Sequence, residues 1–389
     1  MTSSFDIQNL EDRRRRDSLI RFQGQKKIPL SIFVAEFAAS RLVAIIAFTS
    51  LAFMLVCLSV FSVSAHAASA SVSAPTRATI IVSGGAAISP FTTPTASCKL
   101  RPGYAAGSTD NFMRTHLLGK GRRVFTSPAM IGLGKVTDQG AAGGPFGKCP
   151  KALPAYMTVN SVGDIQIAGV HLANFAHYLQ RRFGIKQVDF VAHSMGGLYS
   201  RSAIQFLRDT GSSLKVRSLT TLGTPWAGAA FANPKNPNDP NSACDGFIIC
   251  EELLTVFGAH GPIVMVEQRF DQMTALNKAN AGALKGIPVT LIVGDAFVKV
   301  GGDTNVWPSD GITTPLSGLA VALPDSVINH RRCHLLPGGT HSIYISKQAG
   351  LAEDTAITWN KKVGGWVNDA IVNAGKALKQ PNRQGCPTG

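Results

Sequence analysis

The sequence predicts an α/β fold: a mostly parallel central sheet with helices on both faces. Three observations carry that expectation. β-Branched runs alternate with longer segments of helical apolar spacing, the rhythm of strands joined by crossover helices. The strand-like runs are apolar almost throughout, as strands covered on both faces must be. One junction, VDFVAHSMGGLYSRSAI (Val188–Ile204), passes from strand to helix across a corner of small residues.

The elements come in order along the chain. RATIIVS (Arg77–Ser83) reads as a first strand that stops at Gly84-Gly85, and RRVFTSP (Arg122–Pro128) as a second. Asp164–Gly184 reads as a helix, because Leu172, Phe175, Leu179 and Phe183 step by three and four onto one face before Gly184 ends it. The strand of the corner comes next. VRSLTTLG (Val216–Gly223) and PVTLIVG (Pro288–Gly294) are further strands, CHLLPGG (Cys333–Gly339) is a last short one, and Trp359–Lys379 is a closing amphipathic helix. The stretch between Gly223 and Pro288 is far longer than a crossover needs. Its turn-rich start and the apolar FIICEELLTVFGAHGPIVMV (Phe247–Val266) read as a lid or cap insertion, about 229–285, over the carboxyl ends of the strands. Ligands of such sheets bind there.

Ahead of the domain, Arg13–Arg16 and the apolar run Leu42–Ala65 have the layout of a secretory signal cut after Ala67. An uncleaved membrane anchor is the alternative. The expected organisation is therefore 1–67 as signal or anchor, 68–76 as a short flexible lead, and 77–389 as one domain outside the cell. Of seven cysteines, Cys57 lies in the apolar run. The other six suit three disulfides in an oxidising compartment. Spacing suggests a local Cys244–Cys250 bridge, Cys333–Cys386 tying the closing helix to the last strand, and Cys98–Cys149 stapling early loops. No Cys or His spacing reads as a metal site, and no cofactor is expected. The formal net charge is +15, and still about +12 without residues 1–67. Beyond the N-terminus no basic run is long enough for a binding patch, so no nucleic-acid partner is expected. Oligomeric state is not legible.

The corner has a chemical reading. A turn this tight strains its central residue and projects Ser194 at the mouth of the sheet, provided that residues two before and two after are small; here they are Ala192 and Gly196. By itself an Ala-x-Ser-x-Gly string is common. A serine hydroxyl also needs a base, and the base an orienting acid, on loops after later strands. After PVTLIVG the candidate acids are Asp295, Asp303 and Asp310. Asp310 is favoured, since Gly311 makes a turn that lets it project. Near the last strand stand His330, His334 and His341. His341 follows a glycine turn, whereas His334 lies in the strand-like run. Two backbone donors are needed for an oxyanion: the Met195 amide and one from Gly84-Gly85.

With these residues in view, the chain resembles the bacterial secreted lipases of the α/β-hydrolase superfamily, particularly small lipases with an A-H-S-M-G elbow. The resemblance rests on VAHSMGG, LGTPWAG (Leu222–Gly228), SDG (Ser309–Gly311) and PGGTHS (Pro337–Ser342), and covers about 78–345. It implies the α/β-hydrolase fold, Ser194 as nucleophile, His341 as base, Asp310 as acid, and the Gly85 and Met195 amides as oxyanion hole. Lipid or other ester substrates and contact with a lipid interface are implied likewise. Two departures bear on the acyl pocket: Ser83-Gly84 replaces His-Gly, and Trp226 stands after L-G-T-P where the family has His. Trp226, and Phe257 of the insertion, are the expected substrate-contacting side chains. A cell-envelope acyltransferase using the same triad, or a non-catalytic binding protein of the same fold, are the rival readings.

Overall fold

Seven strands build the central sheet: β1 (Arg77–Val82), β2 (Val124–Thr126), β3 (Gln187–His193), β4 (Lys215–Leu222), β5 (Pro288–Gly294), β6 (His330–Leu336) and β7 (Arg383–Gln384). The computed structural model describes residues 76–387 apart from 99, 101–108, 141–143, 234–237, 261 and 381. The signal or anchor expected in 1–67 therefore lies outside the described residues. Spatial order is β7-β6-β5-β4-β3-β1-β2, and each pairing is parallel. The chain steps from β1 outward to β2, then returns to lay β3 along the other flank of β1. Loops leaving β1 and β3 thus part in opposite directions and open a crevice at the strands' carboxyl ends. This is the α/β-hydrolase fold.

Helices α1 (Ile165–Phe183), α2 (Gly196–Asp209) and α6 (Lys361–Ala377) cover the sheet, and α3 (Ile248–His260), α4 (Pro262–Glu267) and α5 (Phe270–Ala279) belong to the insertion. Alternating strand residues feed two separate cores. Ile80, Val82, Phe190 and Ala192 pack with α1 and α2, while Ile81, Val191, Leu222 and Ile292 pack with Val363, Val367 and Ile371 of α6. The sheet is covered on both faces, which is why its strands read as continuous apolar runs. Asp164 caps α1 by accepting from the Ile167 amide, and Gly184 ends it in the left-handed conformation (φ 66°). The pair Arg383–Gln384 adds a seventh strand that the sequence does not announce. Two residues carry no periodicity; the Cys333–Cys386 disulfide and the Arg332–Gln384 hydrogen bonds hold them to β6.

All three expected disulfides are present. The insertion is a helical cap, α3 to α5, between β4 and β5. Its apolar residues do not all turn one way. Phe247, Ile249, Leu253 and Phe257 are buried, but Ile248 and Val256 are 68% and 42% exposed. Two carboxylates tie the cap to the body. At its start, Asp245 accepts from the Asp303 amide and the Trp307 indole, both at 3.1 Å, and pairs with Lys299 at 3.2 Å. The Asp303 amide and Lys299 hold the Asp245 carboxyl below its usual range. At the other end, Glu267 receives the Ile165 amide on both oxygens at 3.1 Å. Burial, with the neighbouring Asp164 charge, pushes Glu267 up to about 7 from 4.5, against the opposing Ile165 hydrogen bond.

The sign of the Glu267 effect on stability is fixed by that shift. The folded chain holds the proton more tightly than the unfolded one, so stability falls as pH rises from 4.5 to about 7. Glu267→Gln keeps an acceptor for the Ile165 amide but removes the titration. Urea midpoints measured across this window are expected to slope less in the variant. An unchanged slope would mean that the carboxyl is not linked to folding.

Candidate active site

Ser194 stands between the end of β3 and the start of α2 with φ 55°, a left-handed backbone that a serine adopts at a cost of about 1–3 kcal/mol. Its own backbone is clamped: its amide donates to the Leu222 carbonyl at 2.8 Å, and its carbonyl accepts the Thr224 hydroxyl at 2.7 Å. Gly196 is small for a steric reason, since a Cβ there would lie 2.7 Å from the Val82 carbonyl oxygen. Gly84 approaches closely as well; a Cβ on it would fall 2.5 Å from Ser194 Cβ and 3.1 Å from Oγ. The β1 loop therefore runs directly against Ser194. The Gly85 and Met195 amides donate to no acceptor among the described residues, and α2 begins at Gly196 with its positive dipole end beside them.

Asp310 and His341 are brought together. His341 Nδ1–H donates to Asp310 Oδ2 at 2.8 Å, and the His341 amide to the Asp310 carbonyl at 2.7 Å. The other carboxylate oxygen accepts the Ile312 and Thr313 amides at 3.0 and 2.7 Å. Asp310 is wholly buried and His341 nearly so. His341 Nε2 is buried with no hydrogen-bond partner. Ser194 and His341 flank the same turn. Ser194 binds Leu222, and the next residue, Gly223 (φ 61°), would bring a Cβ within 2.7 Å of His341 Nδ1 and 2.9 Å of Asp310 Oδ2. With Nδ1 committed to the acid, Nε2 is the lone pair left for a proton.

His193 contributes something its position in the string does not disclose. Its ring lies 4.6 Å from that of His341, and its Nε2–H donates to the His341 carbonyl at 2.9 Å. Complete burial holds its pKa well below the ordinary value, with a smaller contribution from His341, so it is a neutral donor that positions the His341 backbone. Thr224 and Gly223 are further positioning residues. The L-G-T-P string was the signal for them, since small and hydroxyl-bearing residues at a strand end suggest a backbone clamp.

The other candidates sit elsewhere. Asp295 accepts the Gly338 amide at 2.8 Å as a strand-end cap, and Asp303 accepts the Asn305 amide at 2.9 Å. His334 stacks on Trp366 of α6 at 4.6 Å. Trp226 does not line the crevice as expected from the sequence. After Pro225 the chain turns inward, and the indole is fully buried over the Arg201 guanidinium, 5.3 Å from ring centre to Cζ. There it gives an aromatic face to a buried cation. Phe257 does stand at the crevice. A Cβ on Gly85 would lie 3.2 Å from its ring, which stacks on Phe231 at 5.4 Å. Beyond Phe231 is a small recess lined by Phe247, Cys250, Val306, Ser309 and Ile312 among others. Among the described residues no three His, Cys, Asp or Glu side chains gather to hold a metal ion.

Residues 156–238, which include the elbow and the L-G-T-P turn, match the family described as "Putative serine esterase (DUF676)". A search of curated proteins by sequence finds no match. Among solved structures, the chain is similar to the Bacillus licheniformis lipase BlEst2 in its propeptide form, with 16% identity and a TM-score of 0.44. That similarity covers 81% of this chain but only 53% of the other, so the chain spans about half its length. A gene product of Listeria innocua gives 16% identity, coverage of 76% and 93%, and a TM-score of 0.40. The phospholipase PlaB from Legionella pneumophila, in complex with thio-NAD, gives 12%, coverage of 78% and 61%, and 0.44.

Proposed function

We propose that this chain is a secreted lipase or carboxylesterase that hydrolyses acylglycerols or other lipid esters through an acyl-enzyme. The observation that carries the proposal is the buried Asp310–His341 pair, with an unengaged Nε2, beside a serine held at a strained elbow. The serine-esterase likeness over residues 156–238 supports it. In this reading His341 Nε2 takes the Ser194 proton as Oγ bonds to the ester carbonyl carbon. The carbonyl oxygen becomes an oxyanion facing the Gly85 and Met195 amides. Collapse breaks the ester C–O bond, and His341 gives its proton to the leaving alcohol. Water repeats the sequence to release the acid and restore Ser194. Buried Asp310 accepts three hydrogen bonds and stabilises the imidazolium that forms between these steps.

The recess beyond Phe231, lined mostly by apolar side chains at the foot of the cap, would widen as the cap opens to take an acyl chain. The cap would act as a lid, opening at a lipid surface where exposed Ile248 and Val256 are themselves buried. Export is proposed from the signal-like 1–67 and agrees with three disulfides. The test is kinetic. The purified protein is assayed on glycerol esters of increasing acyl length, through the solubility limit of a medium-chain triacylglycerol. A jump in rate at that limit is expected. Smooth saturation, with good turnover of dissolved short esters, would replace the lipase by an esterase with a fixed cap. Acyl transfer to an added alcohol in preference to water would make it a transferase.

A further inference from the structure

Arg201 stands on α2 about two helical turns past Ser194, and it is wholly buried. Among the described residues no carboxylate pairs with it, and burial brings its guanidinium down to about 9 from 12.5. Its partners are a neutral amide and an aromatic face: Nη1 donates to Asn277 Oδ1, and the cation lies over the Trp226 indole. Packing alone does not call for such a charge, because an apolar side chain would fill the same space at lower cost. Its effect falls on Asn277, which is 4% exposed and belongs to α5, the last helix of the cap. A side-chain amide can face either way, with an acceptor at one end and donors at the other. The guanidinium only donates, so it draws Oδ1 to itself. That leaves Nδ2 aimed away from Arg201, where it donates to the Trp226 carbonyl at 2.8 Å.

The carbonyl that Asn277 holds is part of the turn that holds Ser194. The Trp226 amide donates to the Thr224 carbonyl at 2.9 Å, and the Thr224 hydroxyl to the Ser194 carbonyl at 2.7 Å. Little slack separates these pieces: a Cβ on Gly197, in the first turn of α2, would collide with the Thr224 hydroxyl. Thr313 and Ser317, which follow β5, fix the two ends of the turn. The Thr313 hydroxyl donates to the Gly223 carbonyl at 3.0 Å. Ser317 Oγ accepts the Ala227 amide at 3.1 Å and donates to the Gly228 carbonyl at 2.8 Å. Asn277 fixes the middle of the turn, and it does so from the cap.

We propose that Arg201 and Asn277 are positioning residues for Ser194. The cation fixes which way the amide faces, the amide fixes the Trp226 carbonyl, and the turn carries that placement to the serine. The inference rests on Ser194 being the nucleophile of an ester hydrolase. It makes the cap more than a cover, since its last helix sets part of the geometry in which the serine reacts.

Asn277→Asp separates positioning from packing. It is nearly isosteric and gives Arg201 a carboxylate, so the urea midpoint should be unchanged or higher. An ionised carboxylate only accepts, however, and leaves the Trp226 carbonyl without its donor. On a dissolved short-chain ester kcat is expected to fall about tenfold to a hundredfold, with KM changed by less than about threefold. Fluorophosphonate labelling of Ser194 should slow by a similar factor. An unchanged kcat and labelling rate in the folded variant, whatever its midpoint, would overturn the proposal and leave the network as packing. Should the variant not fold, Arg201→Lys and Arg201→Leu replace it. Lysine still donates to Asn277 Oδ1 and leucine does not, so leucine is expected to lower kcat about tenfold further; equal kcat in the two overturns the inference. An unaltered chain whose Ser194 takes no label and which cleaves no ester would instead sink the ester-hydrolase reading, and this inference with it.

Discussion

Ser194→Ala is expected to lower kcat by roughly five to six orders of magnitude, with KM little changed, because removal of a triad nucleophile leaves only binding and oxyanion stabilisation. His341→Ala should cost nearly as much, and the double variant no more than either single one, since the two groups act as a unit. Asp310→Asn is expected to cost about four orders, by allowing the wrong imidazole tautomer. Single-turnover kinetics on a chromogenic ester, with fluorophosphonate labelling as a check on Ser194, measures all three. An inactive His334→Ala beside an active His341→Ala would show the base to be misassigned.

The second large effect is expected at Gly223. Alanine there suffers twice. Its backbone is left-handed at φ 61°, and its Cβ would sit 2.7 Å from His341 Nδ1 and 2.9 Å from Asp310 Oδ2. The imidazole must yield, because Asp310 is fixed by two backbone amides. A misplacement of this size costs about a hundredfold in kcat, while the strained backbone lowers stability by about 1–3 kcal/mol. Kinetics and urea denaturation of Gly223→Ala together decide it. Unchanged kcat with lowered stability would show that His341 relocates freely.

The fold was legible because its strands are short apolar runs bounded by glycine and its longest helix has an unambiguous face. Ser194, Asp310 and His341 stand out in the sequence because each follows a strand-like run at a turn with small residues, and the fold brings the last two into a hydrogen bond. What the sequence concealed depends on contacts between distant segments. Trp226 follows the elbow motif by a strand and a turn, yet a buried Arg201 claims its ring. Ile248 and Val256 have the composition of a buried face, but their phase on α3 points them outward. His193 looks like an elbow spacer until His341, far along the chain, is folded beside it. β7 has too few residues to show any period.

The two carboxylates that moor the cap respond to acidity in opposite ways. Asp245, held below its usual range, keeps its charge and its grip on the Asp303 loop at lower pH than an unperturbed carboxylate does. Glu267 sits among Asp164, the Ile165 amide and the Tyr199 side chain, and resists ionising until about neutrality. Once ionised, it is a largely buried charge with no paired cation among the described residues. Alkaline conditions therefore loosen the α4 mooring first, while the α3 mooring, next to the Cys244–Cys250 bridge, stays fast. If the cap opens as proposed, opening is expected to begin at the α4 mooring beside α1, with α3 the side that stays tied.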